Sequence, residues 1–178
     1  MNTPTKTLSI LTVLPLLIVS CQLQATQVQP EEQMAQKVVP YKAVLGKSLA
    51  DQEVASFIVS NNCSSAAQFE LCKDVGVALL VASDQIVKTV YLYLNNAEGF
   101  GPYQGELPFG LKFYDTMGAV EYKLKRQGVG NAGLPDSGDT PDHLHYWANY
   151  QQASLTVVYN SPSPEDEDAT IYGVVVSQ

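Results

Sequence analysis

Both histidines of the chain lie in one short segment together with two aspartates, and this segment is the best candidate for chemistry. It covers residues 139–145 (DTPDHLH). On a β-strand, His143 and His145 would point to the same side, where neutral imidazoles can bind a metal ion and aspartates can complete or orient the site. A solvent-facing histidine pair at the start of a strand is the simpler interpretation. We prefer it because no established metalloenzyme spacing accompanies the pair.

Nucleophilic chemistry has less support in the sequence. No G-x-S-x-G motif occurs, and no serine has a spacing that marks it as a nucleophile. We therefore expect no enzyme activity, no catalytic residues and no cofactor. A metal-dependent hydrolase that uses His143 and His145 is the last of three functional hypotheses.

The first twenty-one residues have the features of a secretory signal. Lys6 precedes an apolar run over residues 8–19, and Ser20 precedes Cys21. The run contains Pro15 and is shorter than the roughly 20 apolar residues that a membrane-spanning helix needs. A cysteine directly after a small residue resembles the lipobox of bacterial lipoproteins, in which that cysteine receives a diacylglyceryl group and fatty acids such as palmitate. The resemblance implies a signal peptide over residues 1–20 and lipidation at Cys21, and a plain signal peptide is the alternative.

The residues that follow Cys21 predict a tether. Residues 21–40 are rich in glutamine and poor in bulky apolar side chains, so they cannot bury enough surface to offset the entropy of ordering. In the lipoproteins that this chain resembles, an aspartate after the lipidated cysteine favours the inner membrane. Gln22 occupies that position. The resemblance therefore implies a lipid-anchored protein of the bacterial cell envelope, on the periplasmic side of the outer membrane.

The two remaining cysteines, Cys63 and Cys72, predict a disulfide. An even pair of thiols in an oxidising compartment usually becomes oxidised. Their spacing suits no common zinc site, and only Lys73 lies close enough in sequence to activate a thiolate. Closing a loop of this size stabilises a fold by about 2–3 kcal/mol.

The charge of the chain argues against nucleic-acid binding. The formal net charge is −8. The only local group of basic residues is Lys123, Lys125 and Arg126, whereas binding to phosphates needs an extensive basic surface. An acidic surface attracts basic protein partners, although it also serves solubility alone.

A repeated sequence pattern, which we call the internal echo, divides the folded part of the chain. The segment GKSLAD at residues 46–51 resembles GLKFYD at residues 110–115, and a helical apolar pattern follows each of them. We expect two tandem helix-plus-hairpin units, over residues 41–105 and 106–178, with one domain over 41–178 as the alternative.

Each predicted helix has a capping residue and an apolar stripe. In the first, Ser48 is the expected cap and Asp51 the capping-box acid. In the second, Asp115 is the expected cap. The stripes consist of Ala50, Val54, Phe57 and Ile58 in the first helix and of Met117, Val120 and Leu124 in the second.

Strands are predicted after each helix. Residues 75–82 and 86–94 form a hairpin with a turn at Ser83 and Asp84, and residues 144–151, 153–160 and 170–176 are rich in aromatic and β-branched side chains. Residues 160–168 (NSPSPEDED) form an exposed loop, because prolines break strands and consecutive acids resist burial. The fold class is therefore α+β, with an antiparallel sheet that carries helices on one face.

A resemblance to known families rests on residues 107–124 (LPFGLKFYDTMGAVEYKL), preceded by GVALLV and IVKTVYLYL. This arrangement resembles small immunity proteins of the pyocin type. The helix-plus-sheet unit is also similar to the fold of the BamE/SmpA outer-membrane lipoproteins and of the β-lactamase inhibitor protein. The resemblance covers residues 75–178. It implies a protein-binding module that neutralises a toxin, and the alternative is an accessory subunit of an outer-membrane assembly complex.

Two groups of residues are candidates for contact with a protein partner. The first comprises Phe100, Tyr103 and Phe109 in an aromatic connection, around which Tyr91, Tyr93 and Tyr114 also concentrate, since aromatic side chains are enriched at interface centres. The alternative is that this connection packs as core. The second group comprises the loop acids Glu165, Asp166, Glu167 and Asp168, for which a solvated turn is the simpler interpretation.

Overall fold

An antiparallel sheet of eight strands organises the computed structural model, which describes residues 40–94, 96–130 and 136–178. Two helices accompany the sheet. In chain order the elements are α1 (Gln52–Ser60), β1 (Ser64–Ala66), β2 (Phe69–Cys72), β3 (Val77–Val81), β4 (Val87–Tyr93), α2 (Met117–Arg126), β5 (Asp136–Asp139), β6 (Tyr146–Tyr150), β7 (Leu155–Tyr159) and β8 (Ile171–Ser177). The predicted α+β class is thereby confirmed.

The strand order shows how two similar halves share one sheet. It runs β1-β2-β3-β4-β8-β7-β6-β5, so that each half is a helix followed by four strands. The final strands of the halves pair at the centre, where Tyr91 lies opposite Val175. The described residues belong to one compact unit. Residues 41–105 and 106–178 are therefore joined by a continuous ladder of backbone hydrogen bonds.

The two echoed segments, which precede the helices, begin with glycines of similar backbone conformation. Gly46 and Gly110 both have positive φ angles, of 77° and 69°. Only glycine adopts this conformation without a steric cost. The resemblance between residues 46–51 and 110–115 thus corresponds to a left-handed glycine at the first position of each segment.

Helix α1 begins at a different cap from the predicted one. The Asp51 side chain accepts a hydrogen bond from the Glu53 amide at 3.0 Å, so Asp51 is the N-cap. Ser48 accepts from the Ala50 amide at 3.2 Å and closes the preceding turn. Val54 and Phe57 are buried and Ile58 is half-buried, as the apolar stripe predicts, whereas the prediction is wrong for Ala50, which is exposed and precedes the helix.

The N-cap of helix α2 lies one residue after the predicted one. Thr116 is the N-cap and accepts from the Ala119 amide at 3.4 Å. The prediction of Asp115 as the N-cap is wrong, because its carboxylate accepts a hydrogen bond from the Lys112 amide at 2.7 Å instead. The predicted stripe of Met117, Val120 and Leu124 is buried.

The core lies between the helices and one face of the sheet. Val54 of α1 and Leu124 of α2 belong to the same buried apolar cluster as Leu79, Leu92 and Val174 of the central strands. The predicted disulfide joins Cys63 to Cys72 and ties the segment after α1 to β2. The predicted hairpin and the later strands are present, whereas β1, β2 and β5 were not predicted.

Several predictions concern residues outside the described ranges. The signal peptide, Cys21 and nearly all of the predicted tether precede residue 40 and lie outside them. Within the described residues, no helix is both long enough and apolar enough to cross a bilayer. The predicted loop after β7 is present, and Glu165, Asp166, Glu167 and Asp168 are exposed.

Candidate functional site

The two faces of the sheet differ in what covers them. Side chains alternate between faces along a strand. On β4, Val90 and Leu92 point into the core, so Tyr91 and Tyr93 lie on the opposite side. We call this opposite side, which is turned away from the core and the helices, the open face.

The open face is unusually rich in apolar side chains. Register pairing places Phe69, Tyr91, Tyr93 and Trp147 on it. The same pairing adds Leu71, Leu80, Val158 and Val175. An antiparallel sheet with one solvated face normally carries polar residues there. Thr89, Asn149, Thr156 and Ser177 share this face, and the aromatic side chains among them are the candidates for an interaction site.

Four rings form a continuous series across one half of the open face. The ring centroids of Phe69 and Tyr91 are 5.9 Å apart, those of Tyr91 and Tyr93 are 6.5 Å apart, and those of Tyr93 and Phe100 are 4.2 Å apart. These separations fall in the range of favourable ring contacts. We call Phe69, Tyr91, Tyr93 and Phe100 the aromatic row. Its half-buried members Phe69, Tyr91 and Tyr93 present a rigid surface, because aromatic side chains have few rotatable bonds.

A second pair of rings lies on the other half of the sheet. His145 stacks on Tyr172, with 3.8 Å between ring centroids. The imidazole is also fixed by its Nδ1 atom, which lies 3.2 Å from the carbonyl oxygen of Tyr159. Tyr172 belongs to β8, in a stretch where the register against β7 shifts. Such irregularities redirect a side chain relative to a regular strand.

In addition to burial, the charge of Glu98 raises the pKa of tyrosines in both groups of rings. Burial is the first cause that raises the pKa of each of Tyr91, Tyr93 and Tyr172, and the negative charge of Glu98 raises each of them further. A hydrogen bond from the Glu98 backbone partly opposes this effect on the pKa of Tyr172. The Glu98 side chain is itself exposed. The negative charge of Glu98 therefore acts on tyrosines of both halves.

The predicted aromatic contacts are placed differently from the expectation. Phe100 and Tyr103 are only 4% and 5% exposed, so they offer little surface to a partner. The Phe100 ring stacks on Tyr93, and Tyr103 belongs to the core. Phe109 is half-buried at the turn before α2 and packs against the core cluster. The interpretation of the connection as packed structure describes Phe100 and Tyr103 better.

The predicted histidine pair is not on a strand. Residues 140–145 form a loop that the Thr140 amide closes by donating to the His145 carbonyl oxygen at 2.8 Å. His143 has a φ of 56°, which departs from the extended backbone that would align the two rings. The premise of a same-side pair is therefore wrong. Across the described ranges, no group of three or more His, Cys, Asp or Glu residues is arranged to hold a metal ion.

Sequence reasoning grouped Tyr91 and Tyr93 with the aromatic connection but did not assign them to one face of the sheet. Tyr91 and Tyr93 are two positions apart in a predicted strand, and this spacing alone places them on the same side. Glu98 and Tyr172 had no comparable signal, because Glu98 lies in a loop and Tyr172 at a register shift.

Comparisons of the chain with protein-family models, with curated proteins and with solved structures find no match.

Proposed function

We propose that the protein is a lipoprotein of the bacterial cell envelope that binds another protein through its open face and thereby neutralises a toxin. The single observation that supports binding is the aromatic row on a sheet face that the helices do not cover. Aromatic side chains supply much of the affinity in protein interfaces. The immunity role follows the resemblance of residues 107–124 to pyocin-type immunity proteins.

The charge of the chain favours a basic partner. With a formal net charge of −8, the protein attracts cationic surfaces over long distances and accelerates their association. The open-face positions of the central strands are apolar or uncharged. The expected interface therefore has an apolar centre with acidic groups such as Glu98 at its margin, facing a partner with basic groups around an apolar patch.

Two features support a location outside the cytosol. The first is the lipobox-like sequence that ends at Cys21. The second is the Cys63–Cys72 disulfide, since disulfides persist in oxidising compartments such as the bacterial periplasm. Labelled palmitate should enter the protein in growing cells, and Cys21→Ala should abolish that labelling.

Site-specific photo-crosslinking in cells tests the binding surface. A photoreactive amino acid replaces Tyr91 on the open face or, as the matched control, Tyr122, which is 62% exposed on α2. We expect one discrete adduct from the Tyr91 position and none from Tyr122. The captured protein is then purified separately, and its affinity for the wild-type chain and for Tyr91→Lys is measured by calorimetry.

The proposal requires three results together. The adduct must depend on the open-face position, the pure proteins must form a complex of one to one, and Tyr91→Lys must weaken it by about a hundredfold or more. Equal adducts from both positions, or unchanged affinity in Tyr91→Lys, would show that binding does not use the open face.

A growth assay separates immunity from an accessory role. The captured protein is produced in cells that lack the present chain. If it is a toxin, growth stops and is restored by the wild type but not by Tyr91→Lys. If cells grow normally and the captured protein instead forms a stable outer-membrane complex with the chain, the immunity role is wrong and the accessory role replaces it.

A further inference from the structure

We infer that the exposed side of helix α2 contacts the membrane to which the protein is anchored, through basic and aromatic side chains that bind anionic phospholipid headgroups. This inference rests on the proposed lipid anchor, because the anchor brings the helix to a bilayer. It goes beyond the binding of a partner, since it assigns a role to the side of the molecule opposite the open face.

The local group of basic residues in the sequence lies in the last turn of α2, and its members differ in their surroundings. The Nζ atom of Lys123 donates to both oxygens of the buried Asp115 carboxylate, at 2.9 and 2.6 Å. Lys125 and Arg126 are exposed, and neither forms a salt bridge in the part of the chain that the structure describes. Two positive charges of this group therefore remain available at the surface.

Lys112, in the turn before α2, places a third exposed cation beside the helix. Its amide donates to the same Asp115 oxygen as Lys123 Nζ, at 2.7 and 2.6 Å. At the other end of this turn, the Gln127 side chain donates to the Phe109 carbonyl oxygen at 2.9 Å. These hydrogen bonds fix the turn against the second half of α2, so the three cations belong to one region of the surface.

Two exposed tyrosines accompany the cations. Tyr114 and Tyr122 are 76% and 62% exposed, whereas every other tyrosine is buried or half-buried. Residues three and four positions apart share one side of a helix, and the Arg126 guanidinium carbon lies 5.8 Å from the Tyr122 ring centroid. Tyr114 belongs to the same turn as Lys112. We call Lys112, Tyr114, Tyr122, Lys125 and Arg126 the basic surface.

This combination of side chains suits the surface of an anionic bilayer. Lysine and arginine are attracted to headgroup phosphates, and tyrosine rings are enriched at the level of the headgroups. Cations in the last turn also stabilise the helix itself, but that role does not account for the exposed rings. Because the formal net charge of the chain is −8, an anionic bilayer repels the rest of the molecule, and charge alone favours contact through the basic surface.

The chain enters the fold on the side of the sheet that carries the helices. Tyr41, at the start of the described residues, belongs to the core cluster between the helices and the sheet. The predicted tether would keep the domain within about 25 Å of the bilayer on average, so even a weak contact forms readily. Contact through the basic surface turns the open face away from the bilayer and toward a partner.

Acetylation of lysines on vesicles tests the inference. A chain of residues 22–178, which includes every described residue, carries a histidine tag at its amino end and is held on vesicles by a nickel-chelating lipid. The folded part then lies at a bilayer whether or not cells acylate Cys21. The vesicles consist of phosphatidylcholine with or without phosphatidylglycerol, and mass spectrometry gives the acetylation rate of each lysine.

We expect phosphatidylglycerol to slow the acetylation of Lys112 and Lys125 by about fivefold or more. Lys73 is the internal control, because it is exposed and its Nζ atom lies 5.9 Å from the ring centroid of Phe100 in the aromatic row. Its rate should change by less than about twofold, since charges beyond a Debye length are screened. High salt should remove the protection of Lys112 and Lys125.

Substitution of the cations tests whether charge produces the protection. Lys125→Gln combined with Arg126→Gln should restore the reactivity of Lys112 on anionic vesicles. The matched control Lys73→Gln should leave Lys112 protected. Unfolding curves verify that each variant is folded. Full protection of Lys112 in the folded double variant would overturn the inference.

The other side chains of α2 give two further tests. Tyr122→Ser removes an exposed ring and should restore part of the reactivity of Lys112 on anionic vesicles. Glu121→Gln removes the only acid of α2, which is exposed, and should slow the acetylation of Lys112 further.

Three results on the wild-type chain would overturn the inference. They are equal acetylation rates on the two kinds of vesicle, equal protection of Lys73, and protection of Lys112 and Lys125 by soluble glycerol phosphate beside neutral vesicles. If any of them occurs while the Tyr91 adduct forms, only the membrane contact is wrong. If anionic vesicles protect both lysines while palmitate labelling and the Tyr91 adduct fail, the basic surface stands and the proposed function is wrong.

Discussion

Lys123 of α2 donates hydrogen bonds to both carboxylate oxygens of Asp115, at 2.9 and 2.6 Å. The Asp115 side chain is only 6% exposed and also accepts from the Lys112 amide. Lys123 donates in addition to the Gly110 carbonyl oxygen at 3.2 Å. The Asp115–Lys123 ion pair therefore connects the turn before α2 to the helix itself.

Loss of the Asp115 carboxylate should destabilise the fold. Asp115→Ala leaves the Lys112 amide and the Lys123 ammonium without their acceptor, and we expect the free energy of unfolding to fall by about 2–3 kcal/mol. Urea unfolding measures the change. Glu121→Ala, at an exposed position on the same helix, should shift the stability by less than about 0.5 kcal/mol. A similar small effect at Asp115 would contradict this account of the pair.

Two glycines with the same backbone conformation should respond differently to substitution. Gly76 and Gly128 have φ angles of 67° and 76°. A Cβ atom on Gly76 would lie 2.4 Å from the Gly101 carbonyl oxygen, whereas nothing lies within 4 Å of one on Gly128. Gly128→Ala should cost about 1 kcal/mol from backbone strain alone. Gly76→Ala should cost at least about 2 kcal/mol more, because backbone atoms must move.

The same pair of variants tests how the aromatic row is supported. Gly76 contacts the segment that follows Phe100, so Gly76→Ala should displace the Phe100 ring from Tyr93. The ring-current shifts of these two side chains report the change in solution. Equal stability losses in the two variants would show that the close approach at Gly76 relaxes easily.

The Cys63–Cys72 disulfide should contribute measurably to stability. Replacement of both cysteines by alanine is expected to lower the free energy of unfolding by about 2–3 kcal/mol, because the cross-link restricts the unfolded chain. Guanidinium unfolding gives the value. A reductant should destabilise the wild-type protein by a similar amount and leave the double variant unchanged. Sensitivity of the double variant to reductant would indicate another cause.

Stability should fall at alkaline pH because of buried tyrosines. Tyr159 is fully buried, and burial, followed by the neighbouring Tyr150, raises its pKa above the usual 10.0. The unfolded chain releases the phenolic proton at the usual value while the folded chain retains it. The contribution of Tyr159 is therefore complete below about pH 10 and is lost progressively as the pH rises above that value.

Unfolding curves at increasing pH check this prediction. Tyr159→Phe should make the decline in stability above about pH 10 less steep. Tyr114→Phe serves as the control, because the Tyr114 side chain is 76% exposed. If Tyr159→Phe retains the full alkaline decline, then other tyrosines account for it.

The sequence predicted the parts of the fold that carry strong periodic patterns. The stripe of α2 is buried as predicted, and the residues rich in aromatic and β-branched side chains form β4 and β8 as predicted, because apolar burial dominates their energetics. Strands β1 (SSA) and β5 (DSGD) have no such pattern, and backbone pairing with a neighbouring strand holds them in the sheet. The caps were ambiguous, since Asp115 and Thr116 are adjacent and both suit an N-cap.

Less of the candidate site than of the fold could be predicted from the sequence. The spacing of Tyr91 and Tyr93 predicts a shared face, but which face stays uncovered depends on where both helices pack. Phe100 was predicted as a partner contact because it is aromatic. Its burial follows from a loop that turns back onto Tyr93. The position of Glu98 depends on a left-handed backbone that its residue type does not favour.

The central pairing of β4 with β8 has a consequence for biosynthesis. A chain emerges amino end first from a ribosome or a translocase, so β1–β4 are available well before Ile171–Ser177. During that interval β4 presents unpaired backbone groups beside Val90 and Leu92, and an edge of this type recruits neighbouring polypeptides. Nascent copies must therefore be kept apart until the second half has been synthesised. Chaperones that bind unfolded chains in the folding compartment serve this purpose.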